Sequence, residues 1–235
     1  VFKVSGVRTL NGDYRNLFRR GMMGVEYALF RRGPLTMAPS QLGMFARSSE
    51  DYATPNLQFH FQPLSLDKWG DGLHPFDAFT ASVCNLRPSS RGTVGLASPD
   101  PSAPPLIAPH YLSTDEDRRV AVDGLKLART IAAQGPLARF RPEEYLPGAD
   151  IRTDTDLLDA AGRLGTTIFH PVGTAAMGSA SDPGAVLDER LRVRGIDRLR
   201  VIDASAMPRI TSGNTNSPTL MIAEKGAAML LEDAR

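Results

Sequence analysis

The chain has 235 residues, 42% of them hydrophobic and 23% charged, with a formal net charge of +1. This is enough for one or two domains with a sizeable core, and the near-neutral balance gives no electrostatic reason to propose nucleic acid as a partner. A single cysteine, Cys84, excludes an intrachain disulfide and a thiolate metal cluster, and no apolar run approaches the ~20 residues needed to cross a bilayer.

Arg15 to Phe30 mixes apolar and basic residues at helical spacing, and Arg32-Gly33-Pro34 stops the helix. An irregular segment follows. Asn56 to Pro63 (NLQFHFQP) and Phe79 to Leu86 then alternate polar with apolar residues, and Gly92 to Ala97 is a third strand candidate. Together they predict an antiparallel sheet with one covered face, in which Cys84 is a small core residue. The proline-rich stretch from Ser98 to Pro109 reads as a loop. Ser113-Thr114-Asp115-Glu116 has the capping residues and acids of a helix start, and that helix runs to about Ala133, where Gly135-Pro136 ends it. A second, shorter helix is predicted from Asp154 to Leu164. There is no internal repeat and no low-complexity tract.

Three blocks near the C-terminal end carry the chemistry. In the first, FHPVGTAAMG, His170 is followed by Pro171, Gly173 and Gly178, which places it on a stiff, turn-bounded segment. In the second, LRVIDASAMP, Leu199-Arg200-Val201-Ile202 reads as a short, fully buried strand whose carboxyl end is Asp203-Ala204-Ser205, where α/β sheets bind ligands. In the third, Ser217-Pro218 opens a helix running from Thr219 to Leu231, with serine as cap and proline at the first helical position. Asn214-Thr215-Asn216 then lies at the positive end of the helix dipole, where an anion or an electron-rich ring oxygen is stabilised.

These blocks, as HPVGTxxMG, LRVxDASxMP and NxNxPTxMIAEK, resemble the C-terminal end of the glucose-methanol-choline (GMC) family of flavin-dependent alcohol oxidoreductases. The likeness extends to LRPSSRGTVGLAS (Leu86 to Ser98) and APHYLSTDEDRR (Ala108 to Arg119), so it covers roughly the whole chain. It implies an α+β fold: an antiparallel sheet backed by helices, as in the family's substrate-binding domain, plus the C-terminal strand and helix of an FAD-binding Rossmann-type domain. No GxGxxG fingerprint for that domain occurs here, and the sequence reads as a C-terminal part of a longer protein. On this basis residues 1–33 are a connecting segment and helix, 34–165 the substrate-binding domain, and 166–235 the catalytic segment that returns to the flavin side.

The resemblance also assigns roles. The cofactor is FAD, and the partners are a small-molecule alcohol and the FAD-binding half of the same protein, with no nucleic acid and no metal. Oxidising an alcohol at a flavin requires loss of the hydroxyl proton and hydride transfer from the same carbon, so a base must be supplied. His170 matches the family's catalytic histidine, and Asn214 matches the second catalytic position, where an amide can donate to the substrate oxygen but cannot be the base. Asp203 and Ala204 resemble the pair whose backbone lies against the FAD pyrophosphate and ribityl chain. Thr215 and Asn216 would present backbone N–H groups to the flavin pyrimidine oxygen. The Asn214-Thr215-Asn216 pattern and the MIAEK helix point to a bacterial-style dehydrogenase more than to a fungal-style oxidase.

Other readings stay open on the sequence alone. A redox-silent lyase of the same fold could use His170 to move a proton, and the chain by itself could be a substrate-binding module without catalysis. A serine hydrolase is excluded by the lack of a GxSxG elbow. His60 reads as a strand residue, His74 and His110 as loop residues with no shared metal spacing, and Trp69 as a lid or an anchored loop aromatic. Arg87 and Arg91 bracket a tight turn and serve loop-to-loop hydrogen bonds. The expected compartment is the cytoplasm, with the true N-terminus outside this sequence and a signal peptide left open.

Overall fold

Two strands of alternating polarity organise the N-terminal part of the structure, a computed structural model that describes every residue except Pro39, Trp69 and Arg235. In chain order the elements are β1 (Phe2–Lys3), α1 (Leu10–Arg15), α2 (Leu17–Phe30), β2 (Leu42–Ala46), β3 (Leu57–Gln62), β4 (Ala78–Asn85), β5 (Thr93–Gly95), β6 (Leu106–Ala108), α3 (Asp115–Ala132), α4 (Gly135–Ala138), β7 (Glu143–Glu144), α5 (Asp154–Leu164) and α6 (Asn216–Asp233). Short 3₁₀ turns occupy Pro34–Thr36 and Ala204–Ala206. The chain divides into two units, one of Val1–Asn85 and Asp115–Gly165, the other of Leu86–Thr114 and Thr166–Arg235. Residues 86–114, placed by sequence within the 34–165 stretch, thus group with the C-terminal segment.

The first unit holds a five-stranded sheet in the order β2-β3-β4-β1-β7, antiparallel at each pairing. The register sets Phe59 between Met44 and Val83, and Leu57 between Ala46 and Asn85. Because strand side chains alternate, this row forms one face, and α3 covers it with Val120, Leu127, Ala128 and Ile131. Gly124 lets the helix lie close, since an added Cβ would stand 3.1 Å from a Val83 methyl. The acids Asp115, Glu116 and Asp117 crowd the first turn of α3, and Arg129 in its last turn grips Glu144 through a two-point ion pair at 2.9 and 3.1 Å. Helix α5 has the bounds the sequence predicts; Thr153 caps it by accepting from the Asp156 N–H at 3.1 Å, and Leu157 and Ala160 are buried. Cys84 is half-buried on β4, and burial pushes its thiol up.

Three sequence expectations need correction. The segment after the first helix is not wholly irregular, because β2 pairs with β3 along its whole length. The Gly92 to Ala97 strand does not join the sheet; β5 pairs with β6 in a separate hairpin, so the Ser98 to Pro109 stretch is not all loop. Nor is Leu199–Ile202 a buried strand. Leu199 is exposed, and the segment folds back on residues 191–193 through one antiparallel bridge between Arg192 and Arg200. The near-repeat LRV-RGID-RLRV pairs with itself around a turn, with Val193 N bonded to Leu199 O at 2.9 Å and Gly195 at φ 78°. Trp69 lies outside the described residues.

The core of the second unit is Leu187, Leu191, Ala206, Met207 and Ile222, with Val201, Ile202 and Ala204 packed against it. Helix α6 approaches this cluster through Gly226, where an added Cβ would stand 2.4 Å from Ile202 Cγ2. Alanine is the better helix former by about 1 kcal/mol, yet Gly226→Ala is expected to lower the melting temperature, because the methyl cannot enter without displacing Ile202. An unchanged or raised melting temperature would show that α6 does not bear on Ile202 as described.

Candidate active site

The HPVGTAAMG segment is not a helix or a regular strand, and its shape comes from one neighbour. Ala175 N donates to Ser205 O at 3.0 Å and Met177 N to Ala206 O at 3.0 Å, so the first motif lies along the second. Gly173, at φ 88°, sits 3.1 Å from the Met207 carbonyl at its Cβ position, so both the left-handed backbone and the close approach favour glycine there. The second motif in turn is a 3₁₀ turn fixed by its own aspartate: Asp203 Oδ1 accepts from Ser205 N at 2.8 Å and from Ser205 Oγ at 2.5 Å. Ala206 and Met207 from this turn are buried against Ile222 of α6. The three motifs therefore share one packed surface.

That packing brings His170 onto the N-terminus of α6. Its Nε2 is 2.9 Å from Asn214 Nδ2, and its Nδ1 is 3.0 Å from Thr215 Oγ1. His170 is half-buried, Asn214 is exposed, and Thr215 is only 7% exposed. The backbone just before the ring is forced: Phe169 has φ 64°, a left-handed conformation uncommon for a bulky residue, and its N–H is held by Thr167 Oγ1 at 3.0 Å.

Helix α6 begins two residues earlier than Pro218 suggests. Thr215, not Ser217, is the cap residue, and its side chain makes no capping bond. The first backbone bond of the helix runs from Thr219 N to Thr215 O at 3.0 Å, so the N–H groups of Asn216 and Ser217 are its unpaired N-terminal donors. They stand at the positive end of the dipole; Asn216 is one of the two residues the sequence places there, while Thr215 is the cap and Ser217 supplies the second N–H. Asp203 and Ala204 sit on the turn packed beside this helix, where a single carboxylate oxygen, Oδ1, takes both bonds from Ser205. Arg87 fixes the loop ahead of Asn214 through a 2.9 Å bond to Ser212 Oγ, the loop-to-loop role expected of it, whereas Arg91 holds the Pro88 and Ser90 carbonyls of its own turn at 2.9 Å.

A family model described as GMC oxidoreductase matches residues 88–223, more than half of the chain and all of this site. The chain belongs to the GMC oxidoreductase family. It is similar to an alcohol dehydrogenase [acceptor] from Pseudomonas putida, 40% identical over 225 residues, which are 95% of this chain and 40% of that protein. An oxygen-dependent choline dehydrogenase from Vibrio vulnificus is 38% identical over 223 residues, again 95% and 40%. Among solved structures, pyridoxine 4-oxidase from Mesorbium loti superposes with a TM-score of 0.73 at 30% identity, covering 81% of this chain and 37% of that one. Formate oxidase of Aspergillus oryzae gives a TM-score of 0.86 at 22% identity over 99% of this chain and 45% of that one, a likeness of fold. The chain thus spans about two fifths of the length of the GMC relatives it matches.

Two further clusters in this GMC chain went unread in the sequence. Ser65, His74 and Asp67 form a hydrogen-bonded chain, with Ser65 Oγ 3.0 Å from His74 Nδ1 and Asp67 Oδ1 3.1 Å from Nε2, the ring nitrogens exchanged relative to a hydrolytic triad. Ser65 is fully buried and its Oγ also accepts from Asn11 Nδ2 at 3.0 Å, so the cluster is a loop anchor and not a nucleophile. Among the described residues no group of three or more His, Cys, Asp or Glu side chains could hold a metal ion, and no helix is long and apolar enough to cross a membrane.

The second cluster clamps the far end of α6. Asp233 pairs with Arg190, Arg192 and Arg200, and Arg190 also reaches Glu232 at 3.0 Å. The hydrogen bond from Arg192, with the charges of Arg190 and Arg192 behind it, holds the Asp233 carboxyl below its usual value. A carboxylate depressed in the folded state stabilises above its unfolded pKa of about 4 and loses that effect as the pH falls through the folded value. Asp233→Asn is therefore expected to lower the urea midpoint at pH 7, with the gap to wild type closing in acid. A gap in acid as large as that at pH 7 would assign the loss to packing instead.

Proposed function

We propose that this chain is the substrate-binding and catalytic C-terminal part of an FAD-dependent alcohol oxidoreductase, with His170 as the base and Asn214 as the donor that positions the alcohol. The observation that carries this reading is the 2.9 Å contact between His170 Nε2 and Asn214 Nδ2, which joins an acceptor and a donor at one point. A hydroxyl that enters between the two atoms and displaces their direct contact accepts from Asn214 and donates its proton to His170, which localises charge on the oxygen as the proton leaves. The names of the relatives, an alcohol dehydrogenase and a choline dehydrogenase, agree with an alcohol as substrate.

FAD, when bound, supplies the acceptor for the hydride that leaves the alcohol carbon. The residues present fit such a group: the unpaired N–H donors of Asn216 and Ser217 at the positive end of α6 suit an electron-rich ring oxygen, and the backbone of Asp203 and Ala204 is assigned to the cofactor's chain. We assign residues 34–165 to substrate binding and 166–235 to catalysis and the flavin side, with residues 86–114 of the former grouped in the same compact unit as the latter. The remaining FAD contacts are assigned to an N-terminal half of the same protein, of which the relatives' greater length is the support.

An anaerobic absorbance titration of the full-length protein with a panel of primary alcohols including choline tests the reading. Visible flavin bands that bleach with one alcohol support it and name the substrate class, whereas bound flavin that no alcohol bleaches, or no flavin at all, counts against it. In that protein His170→Ala is expected to slow flavin reduction by about 10²- to 10⁴-fold with FAD retained. Asn214→Ala should act more on substrate orientation than on proton transfer; equal binding and turnover would remove it from the site.

A further inference from the structure

We infer that Thr215 is a positioning residue whose hydroxyl fixes the proton of His170 on Nδ1 and so keeps the Nε2 lone pair facing Asn214. The inference rests on the reading of His170 as the base and names what makes the ring ready for that work. A neutral imidazole carries one N–H and one lone pair. Asn214 turns its amide nitrogen, a donor only, toward Nε2 at 2.9 Å, so Nε2 must be the acceptor and the proton must sit on Nδ1. Nδ1 faces Thr215 Oγ1 at 3.0 Å, and Thr215 is 7% exposed, which keeps water from taking over the contact.

The local sequence explains why this hydroxyl is free for the ring. A threonine at a helix cap ordinarily accepts from the second or third backbone N–H of the first turn. Here the third helical residue is Pro218, which has no N–H, and the cap makes no such bond. The Thr215 carbonyl is occupied separately, accepting from Thr219 N at 3.0 Å and Thr219 Oγ1 at 2.6 Å. Backbone and side chain of one residue thus serve different partners, the helix and the histidine. Once the alcohol oxygen has taken the place of Nε2 as acceptor for the Asn214 amide, Nε2 receives the hydroxyl proton while the Nδ1–H bond to Thr215 stays as it was, so the proton transfer requires no rotation of the ring.

The test uses the full-length FAD-loaded protein with Thr215→Val, which keeps the branched shape, and Thr215→Ser, which keeps the hydroxyl. Thr215→Val is expected to lower the flavin-reduction rate at saturating alcohol about 10- to 100-fold, the range seen when a ligand-orienting partner is lost. Flavin content and the half-saturating alcohol concentration should change little, and Thr215→Ser should recover most of the rate. An unchanged rate in Thr215→Val, or an equal loss in Thr215→Ser, would overturn the inference. Ring ¹⁵N spectra of the wild type, with His170 assigned by its absence in His170→Ala, read the tautomer directly and need no turnover. An Nδ1–H ring supports the inference and an Nε2–H ring overturns it, even where a variant fails to fold. Should no alcohol reduce the wild-type flavin, the proposed function fails while the tautomer still decides this point.

Discussion

Two backbone hydrogen bonds, Ala175 N to Ser205 O and Met177 N to Ala206 O, set the geometry on which the second unit depends. They lay a segment with no regular structure of its own along a turn that Asp203 has already fixed. The turn buries Ala206 and Met207 against α6, and α6 presents Asn214 and Thr215 at its start. His170 is therefore placed by three successive registrations: segment on turn, turn on helix, ring on helix end. A net hydrogen bond contributes only about 0.5–1.5 kcal/mol, so these two act less as stabilisers than as a ruler, with the burial of Leu187, Leu191 and Ile222 supplying the hold.

Close approach matters at each step. Gly173 admits the Met207 carbonyl, 3.1 Å from where a Cβ would stand, and Gly226 admits Ile202, 2.4 Å from where one would stand. The first unit uses the same device where Gly124 brings α3 onto Val83. Such contacts make the packing specific, since a methyl group more or less is felt in a close-packed interior.

How much of this was legible in the sequence varies with the kind of signal. Helix α5 was, because Thr153, the acids after it and Gly165 mark both ends locally. The alternation in Asn56–Pro63 and Phe79–Leu86 gave β3 and β4, since each has one face under a helix. β2 was missed because LGMFA carries little alternation and sits at the sheet edge. Residues 199–202 were misread for a different reason: a short apolar run says nothing about its partner, and its partner proved to be the preceding LRV. The candidate site was legible as a set of motifs. That Thr215 meets the ring with its side chain was not, because its capping role and its contact with His170 differ only in three dimensions.

Helix α6 is held at both ends, by the motif junction at Asn214 and Thr215 and by three arginines on Asp233 at the other. Its 18 residues span about 27 Å at 1.5 Å per residue. A hydrogen-bonded rod of that length is stiff along its axis, so a shift imposed at one clamp arrives at the other nearly undiminished. The groups that face His170 therefore share one rigid element with a surface ion cluster at its opposite end.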